Sequence, residues 1–282
     1  MTERVESLRW IDPQGGFGDL LILSGVMKEV FDSTGKQYNV VSQTGFSWLF
    51  ADHPAVRRYG RPPKDARIEV MNYGYEAEHR YAKRRPYPVL ARMFGLNPPG
   101  EERLYAPLAK IDVRPLCHYL PPGQPWVAIC PSSNGPRKEM SAIKWEELVA
   151  IMAAHQVAAI QLGNKRDRYI RGAYNFLGLT TPAEALALLA KMQAVITVDS
   201  FLMHGAFMQK TPAIVLWGPT NPEVFGYDAH INLRLLSSPC EVCPKMAREY
   251  LDKCPQGEEL HCMNRFDTGR IWLELKKVLE IR

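Results

Sequence analysis

Residues 194–227 read AVITVDSFLMHGAFMQKTPAIVLWGPTNPEVFGY, and they contain two short apolar runs that each end in polar residues. The first run, Ala194–Val198, has the β-branched composition of a buried parallel strand and leads directly into Asp199–Ser200. The second run, Ala213–Trp217, leads into the turn Gly218–Thr220. Because open α/β sheets bind ligands at the carboxyl ends of adjacent parallel strands, this stretch predicts one side of a binding site.

The composition is that of a globular chain long enough for two ordinary domains. It has 282 residues, and 46% of them are apolar, which suffices for two hydrophobic cores. The formal net charge of +5 suits an anionic small molecule or an anionic surface and excludes the strongly basic balance of a nucleic-acid binder. No apolar run reaches the ~20 residues of a membrane span and no signal-peptide pattern is present. We therefore expect a cytoplasmic protein that could work at the inner face of the membrane.

Part of the positive charge is local, because Arg80, Lys83, Arg84 and Arg85 lie within six residues. Such a cluster is commonly a solvated helix face. It would also suit binding of a phosphorylated acceptor or an acidic lipid, so peripheral contact with a membrane is an alternative.

The N-terminal half begins with the pattern strand, glycine-rich turn, helix. A strand is predicted from Ser7 to Ile11, and an apolar-faced helix follows the turn and stops at Gly35. The segment from Glu78 to Phe94 is predicted to be helical, with breaks at its prolines. Prolines between residues 97 and 125 indicate a linker near residues 110–124, so we place an N-terminal, acceptor-side domain at residues 1–115 and a donor-binding domain at residues 116–282.

The C-terminal half repeats the alternation of strands and helices. A strand at Trp126–Cys130 precedes a helix at Ala142–Ala154, and Thr181 with Glu184 forms a capping box that opens a further helix. A cysteine-rich loop at residues 240–262 and a C-terminal helix close the chain. The predicted fold class is α/β, with two Rossmann-like domains that face one another across a cleft.

Five segments follow one another along the chain: GGFGDLLILSGVMKEV from residue 15, PSSNGPRKEMSAIKWEEL from residue 131, IQLGNKRD from residue 160, LTTPAEALALLAKMQAVITVDSFLMHGAF from residue 179 and TPAIVLWGPTNPEVFGY from residue 211. In this order they resemble the heptosyltransferase family of glycosyltransferases, which is family 9. The resemblance implies a GT-B architecture and an inverting transfer that needs no metal. It implies a nucleotide-diphosphate sugar donor, in most members ADP-heptose, and a lipopolysaccharide-type glycan, lipid or protein acceptor.

The Gly18-Asp19 pair lies at the position of the aspartate that is the family's proposed base. An inverting transfer needs a group that takes the proton from the attacking hydroxyl, and Asp19 could do so. Its alternative role is to cap the first helix. If Asp19 is the base, we expect it to face Asp199 across the cleft between the domains.

The donor side is predicted from the second set of motifs. Lys138 matches the family's lysine that contacts the diphosphate, where an ammonium group can neutralise a leaving ADP without a divalent ion. Ser132 and Ser133 follow a predicted strand and are candidate hydroxyl and N–H donors to phosphate. Asp167 lies where relatives carry a glutamate that binds the donor ribose. The alternative for Lys138 and Asp167 is that they are solvated loop residues.

The opening stretch contributes the remaining donor contacts. Asp199 and Ser200 lie where a helix N-terminus would offer free N–H groups to a diphosphate. Thr220 could bind phosphate or sugar, and Gly218 supports it, although Gly-Pro-Thr is also an ordinary turn. His204 lies one helical turn beyond Ser200 and is expected to support the site from behind, or to be a core histidine.

Four cysteines near the C-terminus have the spacing C-x2-C-x10-C-x7-C: Cys240, Cys243, Cys254 and Cys262. Four thiolates in a short loop suit a tetrahedral structural site for Zn²⁺ or iron, and reduced, partly buried thiols are the alternative. No cofactor is expected to take part in catalysis.

Two other functions remain open from the sequence. A sugar-nucleotide 2-epimerase would share the architecture and would act on the donor alone. A non-catalytic sugar-nucleotide binding module would bind the donor and release nothing, although the presence of both Asp19 and Lys138 argues against it.

Overall fold

A computed structural model of the chain describes residues 9–76, 83–96, 101–235 and 262–280. The chain divides into two compact units, which we call unit 1 (Met1–Lys110) and unit 2 (Ile111–Arg282). This division falls inside the proline-rich stretch of residues 97–125.

Unit 1 contains a four-stranded parallel sheet with the strand order β3-β2-β1-β4. The central strand β1 is flanked on one side by β2 and on the other by β4, with which it pairs along its whole length. The strands are β1 (Arg9–Pro13), β2 (Tyr38–Val41), β3 (Val56–Gly60) and β4 (Arg67–Met71).

The helices of unit 1 are α1 (Phe17–Thr34), α2 (Ser47–Phe50) and α3 (Pro86–Met93), with a 3-10 turn at Tyr73–Tyr75. Helix α1 follows β1 directly and ends at the predicted Gly35, whose φ of 69° is in the left-handed region. Helix α3 begins at Pro86, where the sequence predicted a break. Proline is tolerated in the first turn of a helix, because the N–H it lacks has no partner there.

Unit 2 contains a six-stranded parallel sheet with the order β10-β9-β8-β5-β6-β7. The outermost of these strands are short and less buried than the central ones. The strands are β5 (Trp126–Cys130), β6 (Ala158–Gln161), β7 (Tyr174–Asn175), β8 (Ala194–Val198), β9 (Ala213–Trp217) and β10 (Ile231–Arg234).

The helices of unit 2 cover the sheet and complete its core. They are α4 (Arg114–Cys117), α5 (Ala142–Ala154), α6 (Pro182–Leu189), α7 (Phe201–Met208), α8 (Pro222–Phe225) and α9 (Thr268–Val278), with 3-10 turns at Pro136–Lys138 and Cys262–Arg265. Strands β5, β8 and β9 are almost entirely buried, as expected for central strands of a parallel sheet covered on both faces. Helix α9 packs against α5 in this core, where the rings of His155 and Trp272 stack at 4.6 Å.

The register of the central strands brings their carboxyl ends together. Cys130, the last residue of β5, lies beside Thr197 of β8, and Val198 lies beside Leu216 of β9. The loops that leave these three strands therefore start at one edge of the unit 2 sheet. Within the part of the chain that the structure describes, no helix is both long and apolar enough to cross a membrane.

Candidate functional site

An ion pair between Lys138 and Asp199 links two loops at the carboxyl edge of the unit 2 sheet. The Lys138 Nζ lies 2.9 Å from Asp199 Oδ2 and 3.5 Å from the Asp199 carbonyl oxygen. Lys138 comes from the turn after β5 and Asp199 directly follows β8, so pairing of these strands brings the two together. Their side chains are only 20% and 11% exposed, so water screens this pair less than it would a surface pair.

Ser133 lies in the same loop and is held by local hydrogen bonds. Its backbone N–H donates to Glu139 Oε1 at 2.7 Å, and its hydroxyl donates to the Gly135 carbonyl oxygen at 2.9 Å. Burial raises the pKa of the Glu139 carboxyl, the Ser133 N–H lowers it, and the negative charge of Asp167 raises it further. The Ser132 side chain is half-buried and makes no hydrogen bond within the described residues. A ligand at this loop would therefore find the Ser132 hydroxyl available and the Ser133 N–H already used.

Asp167 closes the turn that follows β6. Its Oδ2 accepts a hydrogen bond from the Asn164 backbone N–H at 2.8 Å. The carboxylate lies over Gly163, where an added Cβ would approach the same oxygen to 2.3 Å. This arrangement gives Asp167 a structural role in the turn, and the predicted contact with a donor ribose stays a prediction.

Ser200 and His204 lie at and near the start of α7. The Ser200 and Thr197 hydroxyl oxygens are 3.0 Å apart, so the side chain of Ser200 is anchored to the end of β8. His204 Nδ1 lies 2.6 Å from the Tyr227 hydroxyl, and the Tyr227 ring stacks on Phe207 at 3.8 Å. His204 is therefore part of a buried aromatic cluster that supports this edge of the sheet.

The Gly218–Thr220 turn after β9 is tightly packed. Thr220 is 3% exposed, and within the described residues its hydroxyl has no hydrogen-bond partner. A Cβ on Gly218 would lie 2.7 Å from Met263 Sδ and 3.3 Å from Cys262 Sγ. Glycine is therefore required for the approach of the Cys262–Arg265 turn to the end of β9.

Asp19 lies in the first turn of α1 in unit 1, and both of its carboxylate oxygens accept hydrogen bonds. Oδ2 accepts from the Gly16 N–H at 2.7 Å, which is the helix-capping arrangement, and Oδ1 accepts from the Tyr73 hydroxyl. Capping does not preclude a second role, because each carboxylate oxygen can accept two hydrogen bonds. Gly18, its predicted neighbour in the site, is half-buried in the same turn.

A second carboxylate, Asp12, lies at the end of β1 and was not identified from the sequence. It accepts hydrogen bonds from Gln43 Nε2 at 2.7 Å and from Gln14 Nε2 at 2.9 Å. These partners come from the loops after β1 and β2, so the carboxyl edge of the unit 1 sheet is also polar.

The basic cluster lies only partly within the described residues, because Arg80 is outside them. The Arg85 guanidinium is 3.1 Å from the Glu102 carboxylate, so one of the cluster's charges is paired. The use of this cluster as an anion-binding surface stays a prediction.

The predicted metal ligands Cys240, Cys243 and Cys254 lie outside the described residues. Cys262 is described, is half-buried, and opens the 3-10 turn beside Gly218. In the ranges that the structure covers, no group of three or more histidine, cysteine, aspartate or glutamate side chains is placed to hold a metal ion. The four-cysteine site stays a prediction.

Comparison with known protein families and sequences identifies relatives of the chain. Residues 70–251 match the family model described as Glycosyltransferase family 9 (heptosyltransferase). Lipooligosaccharide heptosyltransferase 2 of Haemophilus influenzae is 32% identical in a match that covers 36% of this chain and 33% of that protein. The Haemophilus ducreyi protein of the same name is 29% identical, with 35% and 33% covered. The chain thus spans about a third of the length of these curated relatives.

Solved structures extend the similarity to nearly the whole chain. An iron-containing dodecameric glycosyltransferase, TibC of enterotoxigenic E. coli, matches with a TM-score of 0.73 at 15% identity, covering 96% of this chain and 78% of that one. The E. coli ADP-heptose LPS heptosyltransferase II matches at 0.69 and 16%, covering 96% and 98%. A family 9 glycosyltransferase of Veillonella parvula matches at 0.68 and 12%, covering 99% of both chains. These matches confirm the predicted fold class, an α/β GT-B fold with two Rossmann-like domains.

Proposed function

Because this chain belongs to glycosyltransferase family 9, the heptosyltransferase family, we propose that it transfers a sugar from a nucleotide-diphosphate donor to an acceptor hydroxyl with inversion. We propose ADP-heptose as the donor, since ADP-heptose is named for two of the solved structures that the chain resembles. A lipopolysaccharide-type glycan is the proposed acceptor, with a lipid or protein hydroxyl as the alternatives. The proposed transfer would take place in the cytoplasm, with peripheral contact of the protein to the inner face of the membrane.

The ion pair of Lys138 and Asp199 is the observation that carries this proposal. A departing nucleoside diphosphate needs counter-charge, and an ammonium group held at the carboxyl edge of a parallel sheet is well placed to supply it. Because both side chains are mostly buried, the attraction between Lys138 and a diphosphate would also be stronger than at an exposed site.

The same pair suggests how donor binding and sugar recognition are coupled. A diphosphate carries more negative charge than one carboxylate, so it would compete with Asp199 for the Lys138 ammonium group. The carboxylate of Asp199, released from this contact, would then be free to accept hydrogen bonds from sugar hydroxyls. Ser132, Ser133, Ser200 and Thr220 are the proposed hydroxyl contacts around the diphosphate and sugar, and Asp167 is the proposed contact to the donor ribose.

The proposed base is Asp19 of unit 1, which would take the proton from the attacking acceptor hydroxyl. Its position just after β1, at the carboxyl edge of the unit 1 sheet, supports this role, because open α/β sheets bind their ligands at that edge. A cofactor is not part of the proposed chemistry.

The four cysteines are proposed to hold a structural Zn²⁺ or iron ion outside the catalytic chemistry. The contact of Cys262 and Met263 with Gly218 supports a role in fixing the turn that carries Thr220.

Substitution of Lys138 tests the proposal. Lys138→Met should lower kcat/KM for ADP-heptose by about 100-fold, because it removes the positive charge that would neutralise the leaving diphosphate. The matched control is Lys144→Met, because Lys144 is on α5 of the same unit and pairs with Glu147 at 3.6 Å. We expect the control to stay within about twofold of wild type. Equal activity of the two variants would contradict the proposed diphosphate site.

A further inference from the structure

The Tyr73 hydroxyl donates a hydrogen bond to Asp19 Oδ1, and no motif in the sequence indicates this contact. We propose that Tyr73 is a positioning residue for Asp19, fixing the carboxylate in the orientation that accepts a proton from the acceptor hydroxyl. This inference rests on the proposed function, in which Asp19 is the base.

The backbone of unit 1 determines where both residues lie. Strands β1 and β4 pair from Arg9–Arg67 to Pro13–Met71, so the chain leaves both strands at the same level of the sheet. Asp19 lies in the first turn of the helix after β1, and Tyr73 begins the 3-10 turn after β4. The Asn72 side chain accepts from the Gly74 N–H at 2.8 Å and stabilises that turn. The contact is therefore set by two neighbouring strand ends.

The hydrogen bonds of Asp19 constrain the whole carboxylate. The Gly16 N–H holds Oδ2 and the Tyr73 hydroxyl holds Oδ1, so the plane of the group is defined from both sides. Each oxygen keeps one further acceptor position, and its direction is fixed by the contact already made. Proton transfer in the transition state requires such alignment. Without the Tyr73 hydroxyl, the carboxylate would be free to rotate about its Cβ–Cγ bond, and the alignment for proton transfer would be lost.

A second tyrosine in unit 1 offers a control with the same chemistry. The Tyr87 hydroxyl donates to Glu29 Oε2 at 2.6 Å, and Glu29 is on the same helix, α1, ten residues beyond Asp19. Both tyrosines thus tether α1 to a neighbouring element through a carboxylate. Only the Tyr73 hydrogen bond involves the proposed base. If Tyr73 only stabilised the fold, Tyr73→Phe and Tyr87→Phe would therefore change kcat to the same extent.

The test compares Tyr73→Phe with Tyr87→Phe in steady-state release of ADP from ADP-heptose with a lipooligosaccharide acceptor. Tyr73→Phe should lower kcat by about 10- to 100-fold, the effect of losing a hydrogen bond to a charged group, and leave KM for the donor within about twofold. Tyr87→Phe should leave kcat within about threefold of wild type. Melting temperatures of both variants show whether each still folds.

A third variant restores a hydrogen-bond donor at the end of the ring without restoring the hydroxyl group. Replacing Tyr73 by 4-aminophenylalanine keeps the ring and a hydrogen-bond donor at its end, and it should recover most of the lost kcat. If Tyr73→Phe and Tyr87→Phe have the same kcat, or if 4-aminophenylalanine does not restore it, Tyr73 has no positioning role.

Asp19→Asn separates this inference from the function it rests on. If Asp19→Asn abolishes turnover and Tyr73→Phe does not lower it, the base assignment stands and the inference about Tyr73 is wrong. If Asp19→Asn retains turnover, or wild type releases no ADP, both are wrong.

Discussion

At the scale of single residues, Gly15 limits how Asp19 can be placed. Its φ of 142° is in the region that favours glycine. A Cβ at this position would lie 2.6 Å from Asp19 Cβ and 2.9 Å from Asp19 Oδ2. The turn before α1 therefore requires glycine both for its backbone conformation and for the close approach of Asp19. Only the close approach concerns the proposed base.

Gly15→Ala should destabilise unit 1 by ~1–3 kcal/mol and displace the Asp19 carboxylate, with a loss of turnover. Gly45→Ala is the control, because Gly45 has a φ of 88° and nothing lies within 4 Å of its added Cβ. We expect that variant to lose stability from backbone strain alone and to keep its turnover. Urea unfolding and ADP release measure the two effects. Full turnover by Gly15→Ala would contradict a fixed carboxylate at this turn.

Asp199 was identified as a donor-side residue because it directly follows an apolar strand, and Lys138 was identified by the resemblance to the heptosyltransferase family. The structure pairs the two side chains. No pattern in the sequence indicates that Tyr73 contacts Asp19 or that Glu139 contacts Ser133. Tyr73 is 54 residues from Asp19 in the chain, and their contact follows from the pairing of β1 with β4, which no local pattern specifies. Asp167 and His204 also have hydrogen-bond partners that no motif specifies: the Asn164 N–H for Asp167 and the Tyr227 hydroxyl for His204.

At the scale of secondary-structure elements, strong local patterns were predicted well. The helix at Ala142–Ala154 has the predicted bounds, and the Thr181 and Glu184 capping box forms at α6. Strands β3, β7 and β10 were not predicted. Two of them carry charged residues and one has only two residues, so pairing with a neighbour, and not their composition, makes them strands.

The cysteine-rich loop gives a prediction about metal content. Protein purified without an affinity metal column should contain close to one Zn²⁺ or iron ion per chain, since four thiolates make a tight site. Cys262→Ser should lower that content and also the melting temperature, because Cys262 packs beside Gly218 at the end of β9. Elemental analysis measures the ion, and less than ~0.2 ion per wild-type chain would contradict a four-cysteine site.

At the scale of the whole molecule, two buried histidines predict how stability depends on pH. Burial lowers the pKa of His53 to about 4, and burial together with the charge of His204 lowers the pKa of His230 to about 4. His53 Nδ1 accepts from the Ala55 N–H at 3.0 Å and its Nε2 lies 3.1 Å from the Ser24 carbonyl oxygen, an arrangement that suits the neutral ring. Neither ring nitrogen of His230 has a hydrogen-bond partner among the described residues.

Because both folded-state pKa values lie below the unfolded value of about 6.5, their stabilising contribution is complete above pH 6.5 and is lost as the pH falls to 4. Within that window, each histidine should lower the free energy of unfolding by about 1.4 kcal/mol for every unit by which the pH falls. Melting temperatures from pH 7 to pH 4.5 measure the loss. His230→Phe should make the dependence shallower, and the exposed control His118→Phe should leave it unchanged. Equal slopes for wild type and His230→Phe would contradict the burial argument.

The central claim, transfer of a sugar from a nucleotide donor to an acceptor, is tested most directly by acceptor-dependent release of ADP from ADP-heptose. We expect wild type to release ADP only when lipooligosaccharide acceptor is present, with one heptose added to the product. Asp19→Asn should bind the donor and release none. Epimerised donor in the absence of acceptor would instead indicate a 2-epimerase, and donor binding without any release would indicate a binding module; either result would contradict the proposed transfer.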